Sequence, residues 1–181
     1  QRLLDGGLDL FFGVDARECP EFQIIQLAQE PIRLAVSRKR LYHQLDWTGP
    51  ASPEMLNPAQ LSRLDLIFSP AESNFQVKVN EFLRLQQITP RCVITIPDFE
   101  IQLQLAARGL GACFCPQMML LKLDELNRTL DADLISLPVS ELTQTSRLSL
   151  VLHRRTYRSK YLKLLLSLLQ NEFCAVNKNK A

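Results

Sequence analysis

The segment Phe99–Pro116, FEIQLQLAARGLGACFCP, decides how this chain is read. Its first half repeats apolar residues at helical spacing, with Ile101, Leu105 and the small Ala106 on one face. Asp98 stands ahead of it as a helix N-cap, and Gly109 fits a left-handed cap just past its end. "ACFC" then reads as a short strand, and Pro116 fits the first turn of a further helix, "PQMMLLKLDEL". The glycine and cysteine pairs invite chemical readings, and both fail. A dinucleotide fingerprint needs strand, glycines and helix in that order. Here Gly109 and Gly111 follow a helix and precede a strand, and the third glycine is missing. No helix N-terminus is left to meet a pyrophosphate. Cys113 and Cys115 lie two apart on a strand, so both face one side. They are poorly placed for a mutual disulfide and lack the second ligand pair that zinc requires. Buried, inert thiols are the expectation.

Outward from that segment, strands alternate with helices. "LDLFFG" (Leu8 to Gly13) and "LDLIFS" (Leu64 to Ser69) read as buried strands, as do "IRLAVS" (Ile32 to Ser37) and "CVITI" (Cys92 to Ile96). A polar loop with Pro50, Pro53 and Pro58 follows Ser37, and "NPAQL" starts a short helix with Asn57 as N-cap and Pro58 at the first position. Ser73 and Gln76 match a capping box ahead of Phe75, Val79, Phe82 and Leu83 at helical spacing. "DLISLPV" and "LSLVLH" are further strands, and a last helix runs from about Arg158 to Phe173. The alternation predicts an α/β architecture with mainly parallel strands.

The 181 residues are 46% hydrophobic, enough for a substantial core in one domain or two small lobes. A net charge of +2 is too weak to argue for nucleic-acid binding by the whole chain. The five scattered cysteines, Cys19, Cys92, Cys113, Cys115 and Cys174, fit a reducing, cytoplasmic setting better than a secreted disulfide scaffold. No apolar run is long enough to span a membrane. Catalysis is poorly supplied. His43 and His153 are the two histidines, and neither a Gly-x-Ser-x-Gly nor an HExxH motif is present. His43 reads as a surface residue and His153 as a structural strand end. The basic run from His153 to Lys163 reads as a solvated helix start. The last helix carries two apolar stripes, Tyr157–Tyr161–Leu164–Leu165–Leu168 and Leu162–Leu166–Leu169–Phe173, and is expected to pack on more than one face. The best binding-site candidates are strand-to-helix turns at Gly13–Val14, Ser69–Asn74 and Pro97–Phe99, because ligands of open α/β sheets sit beyond the carboxyl ends of strands.

At these residues a family resemblance enters. "LLDGGLDLFFG", "EPIRLAVSRKRL", "LDLIFSP", "FEIQLQLAARGLGACFCPQMM" and "RLSLVLHRRTYRSKYLKLLLSLL" resemble, in order and spacing, the effector-binding domain of LysR-type transcriptional regulators. The resemblance reaches to about Phe173. It implies a two-lobe α/β fold like a type II periplasmic binding protein, crossed twice by the chain, near Ala35–Arg40 and Leu142–Val151. Lobe I is then residues 1–36 plus 143–181, and lobe II is residues 37–142. It further implies a non-enzymatic, cytoplasmic sensor with no cofactor and no metal, which forms homodimers or tetramers. A small-molecule effector binds between the lobes, and DNA is bound only through a winged helix-turn-helix that these residues do not include. The family's first effector-domain strand, first helix and most of the second strand are likewise not matched, so the sequence is expected to be a fragment or to lack its N-terminal part.

Family pocket positions carry over to Gly13, Val14, Ser69, Pro70, Pro97, Asp98, Phe99, Pro116 and Gln117. Pro97 departs from the hydroxyl that many members use to hold an effector carboxylate, and Val14 offers no side-chain hydrogen bond. The expectation is therefore a more apolar effector, near Phe11, Phe12 or Phe99. The rivals are a transport-type solute-binding protein of the same fold and a two-lobe enzyme such as a dehydratase.

Overall fold

The computed structural model describes residues 3–49 and 51–178, with side chains to residue 173. The chain forms two compact units. Unit 1 is Gln1–Glu30 with Ser146–Ala181, and unit 2 is Pro31–Thr145. Its elements are β1 (Leu10–Val14), β2 (Phe22–Ser37), α1 (Arg38–Leu45), α2 (Pro58–Leu61), β3 (Asp65–Phe68), α3 (Asn74–Leu85), β4 (Arg91–Thr95), α4 (Phe99–Ala107), β5 (Ala112–Pro116), α5 (Leu123–Leu130), β6 (Leu134–Leu137), β7 (Thr145–His153) and α6 (Lys160–Lys178).

Unit 2 carries a five-stranded mixed sheet in the order β6–β2–β5–β3–β4, in which β2 contributes its C-terminal half. β3 runs parallel to both β4 and β5, as strands joined through helices must. β2 runs antiparallel to β5 and to β6. The sheet is thus mixed rather than mainly parallel, because β2 reaches β3 through α1, α2 and a long loop and runs against its neighbours. Cys113 and Cys115 do share one face. There they are buried with Ala35, Ile67, Leu103, Ala106 and Leu134, while Leu123, Leu126 and Leu130 of α5 pack on the same cluster. The alternate positions Leu34, Leu66 and Phe114 are buried as well, so the strands are covered on both faces, which is why they read as unbroken apolar runs. Burial drives the Cys115 thiol up to about 12, opposed by nearby Arg33, and raises that of Cys113 with a further push from Cys115.

The two glycines have separate roles. Gly109 takes φ +78° past the end of α4, with its nearest side-chain atom, Ser37 Oγ, 3.6 Å from where a Cβ would lie. Gly111 has no room: a Cβ there would come within 3.0 Å of the Asp65 carbonyl oxygen and 3.1 Å of Ile67 Cγ1. It lets β5 close on β3.

Three expectations need correction. Pro116 does not open a helix. It is the last residue of β5, extended at ψ 142° and paired opposite Ile32. A 3-10 turn, Gln117–Leu120, follows without a side-chain cap, and α5 begins only at Leu123. The segment after Ser37 is not a loop but α1, started by Ser37 Oγ accepting from Arg40 N. The strand expected over Ile32–Ser37 is the last part of the sixteen-residue β2; Gln23, Gln26 and Gln29 interrupt its apolar pattern and hide its first half.

In unit 1, β1 pairs antiparallel with β7, Leu10 opposite Leu152 and Val14 opposite Leu148. Arg154 N, just past β7, donates to Glu21 O just before β2. His43 is exposed, and the His153 Nδ1 accepts from Arg155 N at 3.1 Å, a strand-end role. One stripe of α6 is covered: Leu166 is buried and Leu162, Leu169 and Phe173 are half-buried. The other, from Tyr157 to Leu168, is exposed within this chain. The side chain of Cys174 lies outside the described residues; Cys19, Cys92, Cys113 and Cys115 are free thiols. No helix among the described residues is long and apolar enough to cross a membrane.

Candidate functional site

The parallel strands β3, β4 and β5 of unit 2 end on the same edge, and α3 and α4 start there. Both helices are capped from within. Ser73 Oγ accepts from Gln76 N at 3.1 Å, and Asp98 Oδ1 accepts from Glu100 N at 2.8 Å and Ile101 N at 3.1 Å. The capping box expected at α3 is half made. The Gln76 side chain does not return to Ser73; its Oε1 accepts from Ser69 N at 3.0 Å and its Nε2 donates to Asn80 Oδ1 at 2.8 Å.

A buried polar hub joins the two strand ends. Gln102, in the first turns of α4, donates through Nε2 to Ser69 Oγ at 3.0 Å and to Ile96 O at 2.6 Å. Ile96 N in turn donates to Phe68 O at 2.8 Å. Gln102 is wholly buried, Gln76 and Ser69 nearly so. The Gln102 Oε1 has no hydrogen-bond donor among the described residues. Phe75 of α3 and Phe99 of α4 meet edge to face with ring centroids 4.9 Å apart.

Of the residues singled out in the sequence, Ser69, Pro97, Asp98 and Phe99 come together here. Pro97 and Asp98 are exposed and Phe99 is half-buried. Pro70 and Pro116 lie at the carboxyl ends of their strands, Pro116 buried and followed by half-buried Gln117. Gly13 and Val14 belong to unit 1, at the end of β1. The next residue, Asp15, is buried at φ 51° and accepts from Ser146 Oγ at 3.1 Å and Arg147 N at 2.9 Å. The sequence reading missed Gln102 and gave Gln76 only a capping role. The available signal was a glutamine inside the apolar face of each helix, beside Phe75 in one and Leu103 in the other.

Among the described residues no three His, Cys, Asp or Glu side chains gather as a metal site. Two capped helices and a buried polar hub thus meet at the strand ends of unit 2. The chain belongs to the LysR substrate binding domain family, whose model matches residues 1–174. No curated protein sequence matches it significantly. Among solved structures it resembles the effector-binding domain of QuiR in complex with shikimate at 13% identity and TM-score 0.73, over 96% of this chain and 76% of that one. It resembles the regulatory domain of Synechocystis CcmR in complex with 2-PG at 16% identity and TM-score 0.73, over 95% and 76%. It also resembles CbnR, a LysR family transcriptional regulator, at 17% identity and TM-score 0.67, over 94% of this chain and 54% of that chain. The chain therefore spans about half of that regulator and three quarters of the isolated effector domains.

Proposed function

We propose that this chain is the effector-sensing part of a LysR-type transcriptional regulator, which binds a small molecule and passes its occupancy to DNA-binding segments elsewhere in the regulator. The family match over residues 1–174 carries the reading. The comparison domains of QuiR and CcmR, solved with shikimate and 2-PG, support a small-molecule ligand. The share of CbnR beyond the match leaves room for a DNA-binding part.

The proposed contact residues are Ser69, Pro70, Pro97, Asp98, Phe99, Pro116 and Gln117 in unit 2 and Gly13 and Val14 in unit 1. Binding favours one arrangement of the protein over another, and that population shift is the signal. The protein works in the cytoplasm as a homodimer or tetramer and performs no catalysis.

A thermal-shift screen with small metabolites tests this, since a ligand that binds only the folded state raises its stability by mass action. A hit lost on Ser69→Ala supports the reading. Specific retention of an operator by this chain alone, or turnover of the hit, overturns it.

A further inference from the structure

Resting on the effector-site reading above, we infer that the effector is an uncharged molecule that presents a hydroxyl or carboxamide to the strand ends of unit 2, and not a carboxylate or phosphate. Helix N-termini hold anions through free N–H groups, and here several of those groups are taken. Asp98 Oδ1 accepts from both Glu100 N and Ile101 N, Ser73 Oγ accepts from Gln76 N, and Ser69 N donates to Gln76 Oε1. Pro97 has no N–H to offer. Asp98 is exposed at this rim with a negative charge of its own, so an arriving anion meets a carboxylate where other strand-to-helix turns offer donors.

Among its side chains the hub keeps one spare donor and one spare acceptor. Ser69 Oγ accepts from Gln102 Nε2, and its own proton finds no acceptor among the described residues. Gln102 Oε1 has no donor, although the residue is wholly buried. The amide cannot be turned round to cure this, because Ile96 O at 2.6 Å requires the NH2 on its side. The spare groups sit on two side chains in contact. An alcohol, phenol or primary amide serves both, giving a proton to Gln102 and accepting one from Ser69. An ionised carboxylate only accepts. Gln102 Oε1 is covered in this conformation, so the group that reaches it opens the strand ends, which couples occupancy to a change of shape.

The test is titration of the full chain at low ionic strength with matched sets: benzoate against benzamide and benzyl alcohol, propionate against propionamide and propanol, and their larger aryl and alkyl homologues. Thermal shift and calorimetry are the readouts. At least one amide or alcohol is expected to raise the Tm in proportion to its concentration while its carboxylate does not, and Ser69→Ala weakens that ligand by about tenfold, the loss of one well-made hydrogen bond. Asp98→Asn keeps the helix cap and removes the charge; it is expected to admit the carboxylate of the same set. A carboxylate that binds the wild-type chain as tightly as its amide overturns the inference and leaves the effector reading standing. No binding by any member of any set, in wild type or in Asp98→Asn, overturns the effector reading and the inference with it.

Discussion

Gln102→Glu turns the buried hub into a pH-dependent element whose size follows from the geometry. The substitution replaces an NH2 that lies 2.6 Å from Ile96 O and 3.0 Å from Ser69 Oγ at a position with no solvent exposure. An ionised oxygen there faces the lone pairs of a backbone carbonyl, so the native state keeps the introduced carboxyl protonated, its O–H donating to Ile96. In the unfolded chain the same group titrates near 4.3, its usual value (about 4.3). The folded pKa is therefore raised, the native state binds a proton that the unfolded state releases, and stability is complete below about pH 4.3 and falls as pH rises towards the folded pKa. Full burial shifts a carboxyl by up to about 3–5 units, and the upper part of that range keeps this one protonated at pH 7. The expected loss at pH 7, relative to acid pH, is then about 3.7 kcal/mol, from about 1.36 kcal/mol per pH unit. That is a large part of a stability of about 5–15 kcal/mol. Urea denaturation followed by circular dichroism, from pH 5 to pH 8 with wild type and Gln102→Met in parallel, reads it directly. Wild type supplies the background slope and Gln102→Met the pH-independent cost of losing the amide. A Gln102→Glu curve that stays parallel to wild type across this range refutes the buried hub, since only a carboxyl in contact with water titrates alike in both states.

The remaining predictions use the same elements. Gly109→Asn is expected to cost a few tenths of a kcal/mol and Gly109→Val about 1–2, because only the left-handed backbone is at stake there; equal costs in thermal melts refute that. Gly111→Ala is expected to cost about 1–3 kcal/mol by driving a Cβ into the Asp65 carbonyl and Ile67, and a neutral result shows that β5 and β3 are not so closely packed. Thiol titration at pH 8 is expected to label Cys92 and Cys19 in the folded protein and to reach Cys113 and Cys115 only in urea, because burial raises both of those pKa values, that of Cys115 to about 12. Labelling of four or more thiols without denaturant refutes it. Asp65→Asn removes the common partner of Arg40 and Arg91 and is expected to lower stability by about 1–3 kcal/mol, most of it from the half-buried Arg40 left without its carboxylate; urea melts of Asp65→Asn and Arg40→Met, close to each other and both below wild type, are the supporting result.

The sequence carried most of both units: in unit 1 it carried β1, β7 and α6 and missed only the first half of β2. β3, α3, β4, α4 and β5 were legible because each combines a period with a boundary: Ser73 and Asp98 as caps, Pro97 and Gly109 as stops. α1 was hidden because RKRLYHQL buries only Leu41 and Leu45, too few apolar positions to show a helical face in so polar a run. The first half of β2 was hidden by its glutamines. At the site, Ser69 and Asp98 follow from their place at strand-to-helix turns, whereas Gln102 reads as an ordinary helix residue and Gln76 only as a capping-box partner of Ser73. Their importance lies in contacts across seven and thirty-three positions of chain, and no local pattern encodes those. The parallel-sheet expectation failed for a similar reason, since a strand's direction is set by the path of the loops that bring it to its neighbour.

The hub also bears on how an effector-binding domain reports a ligand. Gln76 holds the end of β3 to α3, and Gln102 holds the ends of β3 and β4 to α4. Two strands and two helices thus depend on three side chains, with one buried acceptor left unpaired. An unsatisfied buried polar atom costs about 1–3 kcal/mol, and native structures keep few of them. A conformation in which that atom is paired gains the same amount, comparable to the about 1–3 kcal/mol over which allosteric coupling typically runs. A ligand group that pairs Gln102 therefore needs no large contact area to shift the population several-fold. The signal is drawn from a defect already in the unliganded fold, and a substitution that removes the defect without opening the site, such as Gln102→Met, is expected to leave a domain that folds but responds weakly to its effector.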